Sequence, residues 1–189
     1  MKPILINLVL LSAMVLLAQP VVAEMSPEAL SAESLAYCKS TVKNEPMLPA
    51  TVIAKVEEAH ALLSVEGAAA FPKFRGKDSP FLYGGTYIWI HTLADGTMLM
   101  HPIKHKMEGK TLIALKDKKG KRFFTAMNEL VQAEGDGWVE YYWPNPATNE
   151  IVRKVSYVKK CTLPDGTDVV IGSGIYKGSE SEMAKLKIH

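Results

Sequence analysis

Residues 137–160 read GWVEYYWPNPATNEIVRKVSYVKK, and this stretch indicates the class of fold. Aromatic and β-branched side chains dominate both sides of PNPATNE, which is typical of two strands joined by a turn. Successive side chains of a strand point to opposite faces of a sheet, so Val139, Tyr141 and Trp143 share one face. Lys154 interrupts the apolar return strand. A buried ammonium is costly unless a negative group meets it, so this lysine needs an explanation.

The segments around this hairpin extend it to an α+β pattern. Ser26-Pro27-Glu28 is a helix start, and the helix that it predicts ends near Lys39. Apolar residues at helical spacing from Val52 to Ala70 predict a longer helix, which we expect Pro72 to end. The later elements predicted along the chain are strand TYIWIHT (86–92), turn Asp95-Gly96, strand TMLMHP (97–102), helix FFTAMNELVQAEG (123–135) and strand DVVIGSGIY (168–176).

The N-terminal segment predicts export. Residues 1–23 combine Lys2, an apolar run and small residues before a cleavage site after Ala23, as in a secretory signal peptide. We therefore expect a periplasmic or secreted mature chain of residues 24–189, with an uncleaved N-terminal anchor as the alternative. The 189 residues can bury one sizeable core, and a formal net charge of +2 is too small to suggest nucleic acid as a partner.

The cysteine content limits the covalent chemistry. The two cysteines of the chain, Cys38 and Cys161, predict a disulfide in an oxidising compartment, with two buried free thiols as the alternative. His91, His101 and His105 match no zinc pattern, so no metal site is expected. Ser173 lies between two glycines and not in a nucleophile elbow, and no cofactor fingerprint appears. The sequence therefore predicts neither an enzyme nor a cofactor.

The order of the motifs resembles the single-Cache sensor domain family of bacteria. The stretches that carry the resemblance are YIWIHTLADGTMLMHP, GKTLIALKDKKGKRFFTAMNEL, GDGWVEYYWPNP, KVSY and VIGSGIY. The resemblance covers a core of about residues 50–178. It implies a PAS-like antiparallel sheet of about five strands packed against a long N-terminal helix. It also implies that the domain binds a small molecule, commonly a short organic acid, outside the cytoplasm.

The resemblance and the strand alternation together select candidate ligand-binding residues. They are Tyr87, Trp89, His101, Tyr141, Trp143, Lys154, Tyr157 and Ser173. The rings would be the walls of a pocket or, alternatively, an ordinary core. Lys154 would pair with a carboxylate or else point to solvent, and Tyr157 would reach the same ligand only if a bulge turned it. His101 would donate to the ligand or cap a carbonyl, and Ser173 would donate unless its flanking glycines serve packing alone.

We therefore expect an extracytoplasmic module that binds a short-chain carboxylate in signal perception. Members of the family are generally parts of membrane receptors, whereas this chain ends at GSESEMAKLKIH with no membrane exit or signalling module in view. The expectation is a stand-alone exported copy, with a membrane receptor as a partner and a homodimer through the N-terminal helix left open. The alternative is an interaction protein without a ligand that docks on such a receptor.

Overall fold

The computed structural model describes residues 25–189. The signal peptide predicted over residues 1–23 lies outside the described residues. Within residues 25–189, no helix combines the length and the apolar character that crossing a membrane requires.

The fold is an antiparallel sheet with helices on both faces, which confirms the predicted α+β class. The helices are α1 (Pro27–Ser40), α2 (Pro49–Glu66), α3 (Phe123–Glu134) and α4 (Glu180–Met183), with 3-10 turns at Gly67–Phe74 and His105–Met107. The strands are β1 (Leu82–Tyr83), β2 (Thr86–Tyr87), β3 (Trp89–Thr92), β4 (Met98–Met100), β5 (Asp136–Pro144), β6 (Ile151–Thr162) and β7 (Asp168–Ile175). Five of them form one sheet in the order β4-β3-β7-β6-β5, and β1 and β2 pair separately.

The hairpin of residues 137–160 is the longest pairing in the sheet. Strands β5 and β6 run in unbroken register from Asp136 opposite Lys159 to Pro144 opposite Ile151. Strand β7 then pairs along the other edge of β6, also without a shift. Because this register is continuous, side chains of β6 alternate strictly between the two faces, and no bulge turns one across.

Each face of the sheet buries its own core, as the alternation predicts. One core, the α2-face cluster, joins Val56 and Leu63 of α2 with Ile88 and Ile90 of the sheet. The other core, the α3-face cluster, joins Phe123 and Phe124 of α3 with Tyr87, Trp89, Val139 and Tyr141. Val139, Tyr141 and Trp143 therefore share one face of the sheet, as the alternation predicts, and that face packs against α3.

Two predicted boundaries are wrong. The strand predicted over residues 86–92 is divided at Ile88, because Thr86 and Tyr87 pair with β1 while Trp89 onward pairs with β7. The second helix does not end at Pro72. Gly67, with a φ of 58°, ends α2, and the chain continues as a 3-10 turn through Pro72 to Phe74. A left-handed glycine is a common helix stop.

The predicted disulfide is also wrong. Cys38 and Cys161 are free and buried. Cys38 belongs to the α3-face cluster and donates its thiol toward the Thr86 carbonyl at 3.6 Å. Cys161 belongs to the α2-face cluster, with its sulfur 3.5 Å from Ser64 Oγ. The sheet separates the two thiols, and a disulfide requires Cα atoms less than about 7 Å apart.

Candidate functional site

A small cavity lies between the sheet and α3. Its volume is about 10 Å³, close to that of one water molecule. Six of the eight predicted ligand-binding residues line it: Tyr87, Trp89, His101, Tyr141, Trp143 and Lys154. Strands β2, β3, β5 and β6 and the segment after β4 supply them, so the cavity is assembled from parts of the chain up to 67 positions apart, the separation of Tyr87 and Lys154. Its lining is aromatic and apolar except for the ammonium of Lys154 and the imidazole of His101.

Lys154 is the one cation fully buried in the cavity wall. Its side chain has no exposed surface, and Nζ makes no hydrogen bond with any residue among 25–189. Three rings surround Nζ instead, with centroids 4.4 Å away for Tyr87, 4.7 Å for Trp89 and 4.7 Å for Tyr176. The negative faces of aromatic rings attract an ammonium, but they satisfy none of its three N–H donors. The wall therefore presents a cation with unused hydrogen-bonding capacity.

Burial makes this cation easy to deprotonate. Loss of solvation lowers the pKa of Lys154 to about 7. Cys38 acts against this effect, and the charge of Lys104 lowers the pKa further by a smaller amount. Burial raises the pKa of the Cys38 thiol to about 12. Burial, together with Lys154, holds the pKa of His101 well below its usual range, so that imidazole is neutral. At neutral pH Lys154 is thus the group in the cavity that gains or loses a proton.

His101 serves the loop as well as the cavity. Its ring lies 4.8 Å from the ring of Tyr87, and its Nδ1 accepts the backbone N–H of Lys104 at 3.1 Å. Nδ1 of His101 therefore caps a backbone N–H and does not cap a backbone carbonyl, which was one of the two roles expected for this residue. The His101 backbone N–H donates to Glu108 at 2.7 Å, and Glu108 pairs with Arg75. These bonds close the loop after β4 over the cavity.

A chain of hydrogen bonds orients Trp89. Its indole N–H donates to His91 Nδ1 at 3.2 Å, and His91 Nε2 lies 2.9 Å from the Asn128 carbonyl oxygen. Asn128 in α3 donates in turn to the Leu93 carbonyl at 2.7 Å. Burial lowers the pKa of His91 to about 4, so the ring stays neutral and accepts on Nδ1 while it donates from Nε2. The indole plane over Lys154 is thereby fixed to both β3 and α3.

The other rings are held by similar contacts. Trp143 donates its indole N–H to the Tyr87 hydroxyl at 3.0 Å. The ring of Tyr141 stacks on Phe123 with centroids 4.5 Å apart and an interplanar angle of 6°. Its hydroxyl lies 3.1 Å from Ser156 Oγ. Specific contacts therefore orient the Trp143 and Tyr141 rings of the wall.

Two glycines of β7 make room for this arrangement. A Cβ on Gly172 would stand 2.3–2.7 Å from atoms of the Trp89 ring. A Cβ on Gly174 would stand 2.4 Å from Lys154 Cε and 2.3 Å from Ser156 Oγ. All of these distances are shorter than a side-chain carbon can approach another atom, so neither position accepts a side chain unless its neighbours move. The Gly-Ser-Gly of the last strand is therefore explained by the ring and the lysine that lie across it.

Gly172→Ala is expected to lower the free energy of unfolding by about 1–3 kcal/mol, because the indole must leave its place over Lys154. Urea unfolding of wild type and variant measures the loss. Trp89→Phe supplies the control, since the smaller ring leaves space for the methyl group. In the Trp89→Phe background, Gly172→Ala should lower the free energy of unfolding by less than it does in wild type. An equal loss in both backgrounds would show that the Trp89 ring is not the obstacle.

Two predicted ligand residues do not lie at the cavity. Tyr157 points to the α2 face, with its ring 5.3 Å from Trp138, because β6 runs without the bulge that would turn it. Ser173 also points away from the cavity. Its hydroxyl donates to the Tyr87 carbonyl at 2.9 Å and lies 2.6 Å from the Tyr83 hydroxyl. Ser173 thus joins the two-stranded hairpin to the sheet.

The sequence reading missed several residues of the wall. Met98, Met107, Phe123 and Phe124 line the cavity, and Tyr176 contributes the third ring around Lys154. Tyr176 is the last residue of VIGSGIY, one of the stretches that carry the family resemblance, so the sequence could have indicated it as a candidate. The methionines and phenylalanines resemble any core residue, and only the packing of α3 and the loop after β4 reveals them.

Within residues 25–189, no group of three or more histidine, cysteine, aspartate or glutamate side chains is placed to hold a metal ion. The chemistry of the cavity is that of one ammonium in an aromatic enclosure. Such an enclosure suits a small anion whose remaining atoms are apolar.

Comparisons with known proteins point to one family. The Cache domain profile matches residues 78–188. The methyl-accepting chemotaxis protein McpP of Pseudomonas putida is 38% identical over 90 residues, which is 48% of this chain but 16% of that protein. The chain therefore spans less than a fifth of the length of this relative.

Solved structures agree in fold. A periplasmic sensor domain of a chemotaxis protein is 32% identical with a TM-score of 0.55, covering 67% of this chain and 93% of that one. A methyl-accepting chemotaxis protein from Vibrio parahaemolyticus is 25% identical with a TM-score of 0.55, and the match covers 68% of this chain and 85% of that one. A structure described as the basis of carboxylic acid recognition by a Cache chemosensory domain is 28% identical with a TM-score of 0.50, covering 77% and 92%.

Proposed function

Because the chain belongs to the Cache domain family, we propose that it is an extracytoplasmic sensor module that binds a small carboxylic acid through Lys154. The observation that carries this proposal is the buried ammonium of Lys154, which has no hydrogen-bonding partner among residues 25–189. A carboxylate oxygen is the natural acceptor for such a group, and a charge-assisted bond of this kind is strong in a dry site.

The surroundings of Lys154 support an acid with one charge. The rings and the two methionines of the lining offer no second charged partner, and His101 is neutral. A second carboxylate, or the ammonium of an amino acid, would lose its hydration in the cavity without compensation. Monocarboxylates are therefore the favoured class. A relative whose structure is described as recognising carboxylic acids is consistent with this choice.

The role in signalling follows from the relatives and is part of the proposal. Chemotaxis receptors carry similar domains, and one of the similar structures is the periplasmic sensor domain of a chemotaxis protein. A module of this kind would be occupied by its acid outside the cytoplasm and would pass that occupancy to a membrane receptor. Catalysis is not part of the proposal, because burial raises the pKa of the Cys38 thiol near Lys154 to about 12 and so keeps it protonated.

A thermal unfolding screen tests the proposal. Purified protein at pH 6 is heated with straight-chain monocarboxylates, dicarboxylates and amino acids, each at increasing concentration. A monocarboxylate present at one hundred times its dissociation constant should stabilise the folded state by about 2.7 kcal/mol. Matched concentrations of sodium chloride control for ionic strength. Melting temperatures that stay flat across the panel would contradict ligand binding and favour a protein that docks on a receptor without a ligand.

A further inference from the structure

A second and much larger hollow lies just outside the Lys154 cavity. It is a groove of about 620 Å³ between residues 42–48, the β1–β2 hairpin, the end of β7 and the β5–β6 turn. Its walls are largely apolar and include Val42, Met47, Leu48 and Ile175. Val42 and Leu48 are half exposed, at 50% and 53%, although both are large apolar side chains. Apolar surface of this kind is costly to leave in water and commonly marks a binding site.

The groove and the cavity share a thin wall. Gly174 lines the groove and lies against the Lys154 side chain, since a Cβ there would meet Lys154 Cε at 2.4 Å. Tyr176 also lines the groove, and its ring is one of the three around Lys154 Nζ. Tyr87 and Trp89, the other two rings, face the cavity and not the groove. One tyrosine ring therefore separates the groove from the ammonium.

Tyr176 is the part of the cavity wall best placed to move. It follows the last residue of β7, so no strand pairing holds its backbone, and its side chain is partly exposed. Its hydroxyl meets the Tyr87 hydroxyl at 3.3 Å. The cavity of about 10 Å³ holds roughly one water molecule, whereas even a two-carbon acid has four heavy atoms. A carboxylate can meet Lys154 only if a wall gives way.

Two further features suit the groove to an acid. Thr86 is a groove residue that is 1% exposed, and its hydroxyl makes no hydrogen bond with any other residue of 25–189. It is a buried donor available to a ligand oxygen. Three lysines, Lys43, Lys55 and Lys177, stand at the groove with one glutamate, Glu45. Lys55 pairs with Glu58 at 2.7 Å, so Lys43 and Lys177 exceed Glu45 by one positive charge, which favours the approach of an anion.

We propose that the groove and the Lys154 cavity form one bipartite site for straight-chain monocarboxylic acids, in which Lys154 binds the carboxylate, Tyr176 turns aside, and the alkyl chain lies in the groove. This inference rests on the proposed function and names its ligand class more narrowly. The apolar walls around Met47 and Leu48 then select for chain length, and the entrance lies on the α2 side of the β1–β2 hairpin, away from α3.

Isothermal titration with acetate, butyrate and hexanoate tests the bipartite site. Affinity should rise by about fourfold for each methylene group that the groove buries. Leu48→Ser removes apolar wall surface, and serine is a good residue for the N-cap position that Leu48 occupies in α2. We expect this variant to lose at least about fivefold more affinity for hexanoate than for acetate. Val65→Ser is the matched control, because Val65 is 78% exposed on α2 and lies outside the groove.

The outcomes separate this inference from the proposed function. Acetate binding with no gain for hexanoate, or an equal loss in Leu48→Ser and Val65→Ser, would overturn the bipartite site and leave Lys154 as a carboxylate partner. Failure of every acid to bind would overturn both. Chain-length dependence that disappears in Leu48→Ser alone would support the groove as the tail site.

Stopped-flow measurement tests the movement of Tyr176. Tyr176→Phe keeps the ring over Lys154 but removes the hydroxyl contact with Tyr87, so the ring should turn aside more readily. The association rate constant for butyrate should rise by about threefold to tenfold. An unchanged or lower association rate would show that Tyr176 is not the barrier between the groove and Lys154.

Discussion

Lys154→Met is expected to weaken monocarboxylate binding by a factor of at least about 100, because the substitution removes the charge partner and keeps the length of the side chain. At pH 6 the same change should raise the free energy of unfolding of the unliganded protein by about 1–3 kcal/mol. The wild type carries a buried ammonium there at a cost that lowers its pKa to about 7. Contact with the three rings offsets part of that cost.

Lys160→Met is the matched control for this variant. Lys160 lies on the same strand, but its side chain is 39% exposed and pairs with Asp168. We expect that substitution to change binding and stability little. Titration calorimetry measures the binding loss, and urea unfolding measures the stability. Unaltered binding in Lys154→Met would remove the lysine from the site. A large loss of stability would show that the ammonium is satisfied in the unliganded protein.

The affinity for a monocarboxylate is expected to fall by up to about tenfold per pH unit above pH 7, and by about 100-fold between pH 6 and pH 9. Unliganded Lys154 has a pKa of about 7, and a bound carboxylate must raise that pKa because it favours the ammonium form. Binding above pH 7 therefore takes up a proton. The ligand itself, with a pKa of about 4–5, stays ionised throughout this range.

Cys38 and His101, which also lie near Lys154, do not explain such a profile. The pKa of Cys38 is raised to about 12 by burial, and that of His101 lies well below its usual range. Calorimetry in buffers of different ionisation enthalpy should find almost no proton uptake at pH 6 and close to one proton at pH 8. A pH-independent affinity would contradict the assignment of Lys154 as the carboxylate partner.

The stability of the unliganded protein should follow the opposite trend. Because the folded-state pKa of Lys154 lies below its ordinary value of 10.5, the unfolded chain binds more protons between these two values. The cost of the buried charge is therefore fully present below pH 7 and is relieved as the pH rises toward 10.5. The stability advantage of Lys154→Met should shrink over the same interval, which links this profile to the first prediction.

Local sequence patterns predicted most of the sheet, and together with the family resemblance they predicted six residues of the cavity. Strand alternation placed Tyr141 and Trp143 on one face, and the sheet bears this out because β5 and β6 pair without a shift. The same rule argued against Tyr157 beside Lys154, since three positions along a regular strand reverse the face. The resemblance to a family favoured Tyr157, and the alternation was the better guide.

The errors arose where distant parts of the chain meet. A sequence pattern does not show that Cys38 and Cys161 lie on opposite faces of a sheet, so two cysteines in an exported chain predicted a disulfide. The error at Ser173 has a different and local cause, because Ser173 shares a face of β7 with Ile171 and Ile175 and therefore points away from the cavity. The groove has no sequence signature, because four separate segments form it.

Butyrate bound to crystals of the protein at pH 6 would test the central claim most directly. We predict a carboxylate oxygen about 2.7–2.9 Å from Lys154 Nζ, with the Tyr176 ring displaced and the alkyl chain directed into the groove. A butyrate located elsewhere, with Lys154 Nζ still enclosed by its three rings and unpaired, would contradict the account.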